Sequence, residues 1–190
     1  MERKYIEDQS FDHEEFLTRQ LPLAVYENCD FKHCDFTGAN LSGIHFIECI
    51  FTNCNLSSAT LNKTVFRDVA FKDSKLVGLH FENCDSFLIS MSFDNCNLQL
   101  SSFYGLKIRK THFKKCMLHE VDFTDADLSG SSFNNTDLSN ASFYNTNLEG
   151  ADLRTAFNYA IDPGVNNIQR ARFSINGLPG LLLKYKIRVE

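Results

Sequence analysis

From Phe31 onward the large apolar residues stand five apart: Phe31, Phe36, Leu41, Phe46, Phe51, Leu56, Leu61, Phe66, Phe71, Leu76 and Phe81. An amphipathic helix spaces its apolar residues by three and four, and a half-buried strand uses every second position. Neither produces a sustained interval of five. Each pentad therefore reads as one side of a coil, with a single large inward residue at its centre. The phase continues through Leu88, Phe93, Leu98, Phe103, Ile108, Phe113, Leu118, Phe123, Leu128, Phe133, Leu138, Phe143, Leu148 and Leu153. Between Phe81 and Leu88 it slips by two residues, which predicts a two-residue bulge within residues 82–87, with Asp85, Ser86 and Phe87 protruding. Upstream, Phe11, Phe16, Leu21 and Tyr26 keep the phase among less regular neighbours, so residues 1–25 read as an atypical N-terminal cap coil.

Two positions before each centre the residue is small, as at Ala39, Ala59, Thr64, Ser74, Ser101, Ala126, Ser131, Ala141 and Ala151. This is a second inward position. All seven cysteines (Cys29, Cys34, Cys49, Cys54, Cys84, Cys96 and Cys116) occupy it, although Cys84 lies beside the slip and its centre would be Ser86, and they read as small wall-lining hydrophobes. Two positions after the centre, Gly38, Gly43, Gly78, Gly105, Gly130 and Gly150 alternate with Asn53, Asn83, Asn95, Asn135, Asn140 and Asn145. Glycine and asparagine tolerate left-handed backbone, so this position is the expected corner.

Pentads such as Ala126-Asp127-Leu128-Ser129-Gly130, Ala151-Asp152-Leu153-Arg154-Thr155, Cys29-Asp30-Phe31-Lys32-His33 and Ala39-Asn40-Leu41-Ser42-Gly43 resemble the repeat motif of the pentapeptide-repeat family, which recurs here over residues 11–173. The resemblance implies an all-β fold: a right-handed quadrilateral parallel β-helix with four pentads per coil. Residues twenty apart would then stack at the parallel-strand spacing of about 4.8 Å.

Like residues do recur at twenty once the slip is allowed for. A first face reads Phe11, Phe31, Phe51, Phe71, Phe93, Phe113, Phe133, Leu153 and Phe173. A second reads Phe36, Leu56, Leu76, Leu98, Leu118 and Leu138, and a third Leu41, Leu61, Phe81, Phe103, Phe123 and Phe143. A fourth reads Tyr26, Phe46, Phe66, Leu88, Ile108, Leu128, Leu148 and Ile168.

After Leu153 the centres fail at Asn158 and Pro163 and return at Ile168 and Phe173, so the β-helix is expected to end at residue 174. Residues 175–190 predict a short helix started by Pro179, then a strand in which Tyr185, Ile187 and Val189 share a face. An open solenoid end needs a cover, and this segment can supply it. The arrangement is similar to that of the quinolone-resistance (Qnr) and microcin-immunity branch of the family, which implies a homodimer through Leu181, Leu182, Tyr185, Ile187 and Val189. The alternative is a cap on a monomer.

Composition adds limits. The 190 residues are 43% hydrophobic, with 18 Phe and no Trp, as one aromatic type recurring at equivalent positions requires. The charged start and the lack of a long apolar stretch point to a cytoplasmic protein without a membrane partner. In a reducing compartment seven cysteines suggest free thiols, and their Cys-x4-Cys spacing toward a packed interior suggests no zinc site. His33, His45, His80, His112 and His119 fall at outward positions with no nucleophile or carboxylate pair at catalytic spacing. Neither an enzyme, a cofactor nor a metal is expected from these patterns.

Charge is segregated along the chain. Lys107, Arg109, Lys110, Lys114 and Lys115 form a basic band, followed by Glu120, Asp122, Asp125, Asp127, Asp137, Glu149 and Asp152, a candidate partner-binding acidic surface. By resemblance to the Qnr branch that surface imitates DNA phosphates and engages a type II topoisomerase, DNA gyrase or topoisomerase IV, giving quinolone or toxin protection. The competing reading is neutralisation between coils, with Lys107 twenty before Asp127 and Asp94 twenty before Lys114. The fold equally suits an interaction scaffold for another cytosolic protein. With a net charge of −5, direct nucleic-acid binding is not expected.

Overall fold

A computed structural model describes residues 4–16 and 18–187. The chain winds into a parallel β-solenoid of about eight turns. Nine strands stack on the first face, from Ser10–Asp12 through Asp30–Lys32, Ile50–Thr52, Val69–Lys72, Met91–Asp94, His112–Lys114, Ser132–Asn134 and Asp152–Leu153 to Arg172–Phe173. The register pairs Phe11 with Phe31, Phe31 with Phe51 and Phe51 with Phe71, then Phe71 with Phe93 and Phe93 with Phe113. The expected twenty-residue stack and its two-residue slip are both present. A four-stranded sheet of Lys4–Glu7, Ala24–Glu27, His45–Ile47 and Val65–Arg67 forms the lower fourth face. The second and third faces are held by single bridges such as Asp35 to Asn55 and Ser102 to Asp122.

Stacking puts like rings over like. Phe31 lies 4.8 Å from Phe11 and 4.7 Å from Phe51, with planes within 8° of parallel. Rings of adjacent faces meet edge to face, as Phe113 does with Phe103 at 6.0 Å and 83°. Both arrangements lie in the favourable range for aromatic pairs. The small inward position has its own rule. Thr64 Oγ1 donates to the Leu41 carbonyl at 2.8 Å, Thr136 Oγ1 to that of Phe113 at 3.1 Å, and Cys54 Sγ to that of Phe31 at 3.3 Å. A hydroxyl or thiol there reaches a nearby carbonyl, of the coil below as in these three or of its own coil as for Thr111 and Cys96, which lets Ser, Thr and Cys stand where Ala does. Most of the expected corner residues are left-handed, as Asn53 at φ +54° and Gly130 at +68°, but Asn83 is not: it closes the 3-10 turn Phe81–Asn83 next to the slip.

Two expectations need correction. Leu88 is not the inward centre of the fourth face: it is exposed, with φ +57°, and Ile89 is buried instead. Asp85 N still bonds the Thr64 carbonyl at the ordinary offset, whereas Ser90 N bonds that of Phe66. The slip therefore falls between Asp85 and Ser90, overlapping the 82–87 window, and Asp85, Ser86 and Phe87 are all exposed. Leu88 turns the corner because the extra residues come after Ser86, and the aliphatic side chain that reaches the interior is the next one.

The C-terminal strand is also revised. Pro179–Leu182 is helical, but Leu183–Tyr185 closes as a 3-10 turn and Lys186 is left-handed, so Tyr185 belongs to no strand. Val189 lies outside the described residues. Where the centres fail, neighbouring positions fill the interior: Tyr159 and Ile161 are buried. Asn166 is buried too, donating to the carbonyls of Phe143 and Asp162 at 3.0 and 2.9 Å and accepting from Thr146 N.

Candidate partner-binding face

The seven acidic residues of the sequence-derived surface are spread over all four sides. Asp152 stands on the first face, Asp137 on the second, Asp122 on the third and Asp127 on the fourth, each one position before its centre. Glu120 and Asp125 are corner residues at the two ends of the third face, and Glu149 follows Leu148 on the fourth.

Four of them are tied up. Arg109 Nε donates to Asp127 at 2.7 Å, and Arg154 and Arg172 hold Asp152 at 2.8 and 3.0 Å. Arg170 stands 3.8 Å from Glu149. Against partial burial, which raises it, hydrogen bonds from Ser139, Asn158 and His119 hold the Asp137 carboxyl down at about 2. The neutralisation expected between coils thus holds for these groups, and Lys114 meets Asp94 at 2.8 Å as well. Its partner for Asp127 is Arg109 in place of Lys107.

Glu120, Asp122 and Asp125 are different. They bracket one side of a single coil, and none of the three makes an ion pair among the described residues. Asp122 accepts from Thr124 N at 2.8 Å and Asp125 from Asn145 Nδ2 at 2.6 Å. Exposed Tyr104 and Tyr144 stand one coil below and one above on the same side, with Thr124 between them. A hydrogen bond with Asp125 pushes the Tyr104 hydroxyl above its ordinary pKa. One coil lower, Glu82 is held by His80 at 2.8 Å. The four successive third-face segments, residues 78–83, 100–105, 120–125 and 140–145, contain no Lys or Arg. The solenoid therefore assembles a face of carboxylates and tyrosines that is invisible in the linear order of charges.

Other expected sites fall elsewhere. At the slip, Asp85 Oδ1 accepts from Phe87 N at 2.9 Å, Ser86 is exposed, and the Phe87 ring lies 5.6 Å under the Arg67 guanidinium. Phe87 and Leu88 are both about two-thirds exposed, at 66% and 64%. At the C-terminal end Leu181 packs against the core and Leu182 is half-buried, whereas Tyr185 and Ile187 are exposed beside Leu178 and Leu183. A groove of about 690 Å³ between the last coil and this segment is lined by Tyr159, Phe157, Asn158, Ser174 and Asn176, hydroxyls and amides on apolar walls.

The seven thiols are free and buried. Burial pushes Cys49 and Cys96 up to about 12 and Cys116 to about 11, which leaves them protonated and poor nucleophiles at neutral pH. Three groups able to ligate a metal do converge near the first coil: Asp12, His13 and His33. No helix among the described residues is long and apolar enough to cross a membrane.

The family model described as a pentapeptide repeat region matches residues 24–86 and 74–153, more than half of the chain. No curated protein matches in sequence. Among solved structures, a trypsin-treated form of QnrB1, a plasmid-mediated fluoroquinolone resistance protein, superposes with a TM-score of 0.65 at 19% identity, covering 100% of both chains. A second trypsin-treated form of QnrB1 gives 0.50 at 21% identity, over 98% of this chain and 100% of the other. At such identities the likeness concerns the fold. The repeat match, the coil-to-coil register and the left-handed corners agree, and the chain belongs to the pentapeptide-repeat family.

Proposed function

We propose that this chain is a non-enzymatic cytoplasmic rod that binds a type II topoisomerase, DNA gyrase or topoisomerase IV, and relieves its poisoning by quinolones or a peptide toxin. The observation that carries the proposal is the third face, where Glu120, Asp122 and Asp125 have no cationic partner among the described residues and stand beside two exposed tyrosines. A row of carboxylates on a rigid rod presents negative charge as a nucleic-acid backbone does, and such a field attracts a basic DNA-binding saddle. The fold match to a fluoroquinolone resistance protein supports the choice of partner.

In a gyrase supercoiling assay containing a fluoroquinolone, the wild-type chain is expected to restore supercoiling. The double variant Asp122→Lys, Asp125→Lys should need at least about tenfold more protein, since two reversed contacts exceed 1.4 kcal/mol of lost complementarity. Asp127→Asn, on a different face and already engaged by Arg109, serves as the control and should act like wild type. No restoration by excess wild-type protein overturns the proposal.

The same reading places a second copy at the C-terminal end. Ile175, Leu178, Leu183, Tyr185 and Ile187 are all exposed there, an apolar concentration unlike the rest of the surface. Light scattering on a sizing column should give twice the 21.7 kDa chain mass at micromolar protein. The variant Leu183→Glu, Tyr185→Glu should elute as a monomer with an unchanged far-ultraviolet spectrum. A monomeric wild type at high concentration would remove the dimer.

A further inference from the structure

We propose that Asp12, His13 and His33 form a site for one divalent transition-metal ion of the zinc or nickel class, which clamps the first coil to the second. His13 and His33 are corner residues twenty apart, both left-handed at φ +55° and +53°. Because corners stack as the faces do, their side chains leave the rod in parallel, and the imidazole rings lie 4.6 Å apart at 22°. Both Nδ1 atoms address one oxygen of Asp12, at 2.9 Å from His13 and 3.0 Å from His33. All three donor atoms lie within 4.8 Å of one another.

That donor set selects its ion by chemistry. Calcium and magnesium take oxygen ligands, whereas two imidazoles and a carboxylate suit zinc, nickel or copper. With metal–ligand bonds of about 2.0–2.2 Å, tetrahedral ligand atoms stand roughly 3.3 Å apart, so the donors need open by only a few tenths of an ångström. Remaining positions would hold water, since all three residues are exposed.

The next residue of the same corner column supplies an outer partner. The side-chain amide of Asn53 lies 3.5 Å from His33 Nε2. With the amide oxygen turned to the ring, it accepts the Nε2 proton and leaves the Nδ1 lone pair free for the metal. Nearby charges do not compete for the ion: Glu14 is held by Arg19 at 3.0 Å and Asp30 by Lys32 at 3.1 Å. Elsewhere His80 meets Glu82, His112 meets Ser132, and His119 lies between Gln99 and Asp137, so none of these three shares a carboxylate with a second imidazole as His13 and His33 do.

The test uses the full chain without a histidine tag, stripped with a chelator and titrated calorimetrically with zinc chloride and, separately, nickel chloride. One equivalent should bind with an affinity on the order of micromolar, about −8 kcal/mol. His13→Asn and His33→Asn suit the corner, because asparagine accepts left-handed backbone and already occupies this column at Asn53. Each should keep the fold and weaken zinc at least about tenfold, and the double variant should abolish the site. Amide hydrogen exchange over residues 10–16 should slow on adding zinc to the wild type but not to the double variant. Absence of stoichiometric zinc or nickel binding, or binding that survives in the double variant, overturns the proposal.

Discussion

Replacing Phe113 by alanine is expected to lower the unfolding free energy by about 3–5 kcal/mol, the usual cost of deleting a buried aromatic ring. Phe113 is fully buried in the middle of the first-face ladder. Its ring is stacked 5.2 Å from Phe93 and 5.1 Å from Phe133, and meets Phe103 and Phe123 edge-on at 6.0 and 5.9 Å. The cavity cannot close, because the coil-to-coil hydrogen bonds fix the backbone spacing above and below. A solenoid is held by nearest-neighbour interfaces, so one missing ring weakens the junctions on both sides at once. Hydrogen exchange should accordingly rise in residues 93–95 and 132–134 together. Phe113→Leu should cost less, about 1.5 kcal/mol or below, since Leu153 occupies the same ladder two coils higher. Urea unfolding of the two variants checks both figures, and an alanine effect under about 1 kcal/mol would mean that the column is not close-packed.

The ladders were legible because the interior admits one large and one small residue per pentad, and no other spacing satisfies that geometry. Legibility failed where two adjacent residues are chemically alike. Leu88 and Ile89 are equally apolar, and only the placement of the slip after Asp85 decides that Leu88 turns the corner while Ile89 enters. It failed again at Asn158 and Pro163, where the apparent gap is filled by the off-phase ring of Tyr159 and by larger residues at the small inward position, Ile161 and Asn166. The acidic surface was legible only as a list of carboxylates. Charges contiguous in sequence are sent to four directions by a coil of twenty, and among the described residues the groups left without a cationic partner include the three that share one side, Glu120, Asp122 and Asp125. The His13 and His33 stack was written in the sequence by the same interval of twenty that joins Cys29 to Cys49. Each histidine, taken singly, is an ordinary exposed corner residue, and only the stacking brings both rings to Asp12.

Tyr159 is expected to separate the ring's contribution from that of its hydroxyl at the C-terminal end. The ring is buried and lies 5.8 Å from Phe173, filling the space left when the regular centres stop. Gly177 and Gly180 pack so closely on it that a Cβ at either would collide, with the Tyr159 hydroxyl in the first case and its carbonyl oxygen in the second. The carbonyl of Gly180 in turn accepts from Ile161 N at 3.0 Å, so the ring and the terminal helix hold one another in place. Tyr159→Ala should therefore cost about 3–5 kcal/mol, felt first as loss of exchange protection in residues 161–185 while the first six coils stay protected. The hydroxyl itself is buried and has no hydrogen-bond partner among the described residues. An unsatisfied buried donor costs about 1–3 kcal/mol, so Tyr159→Phe should leave stability unchanged or raise it by about 1 kcal/mol. Thermal unfolding of the pair decides the matter. A strongly destabilised Tyr159→Phe would show that the hydroxyl has a partner, and an innocuous Tyr159→Ala would show that the terminal segment does not seal the solenoid.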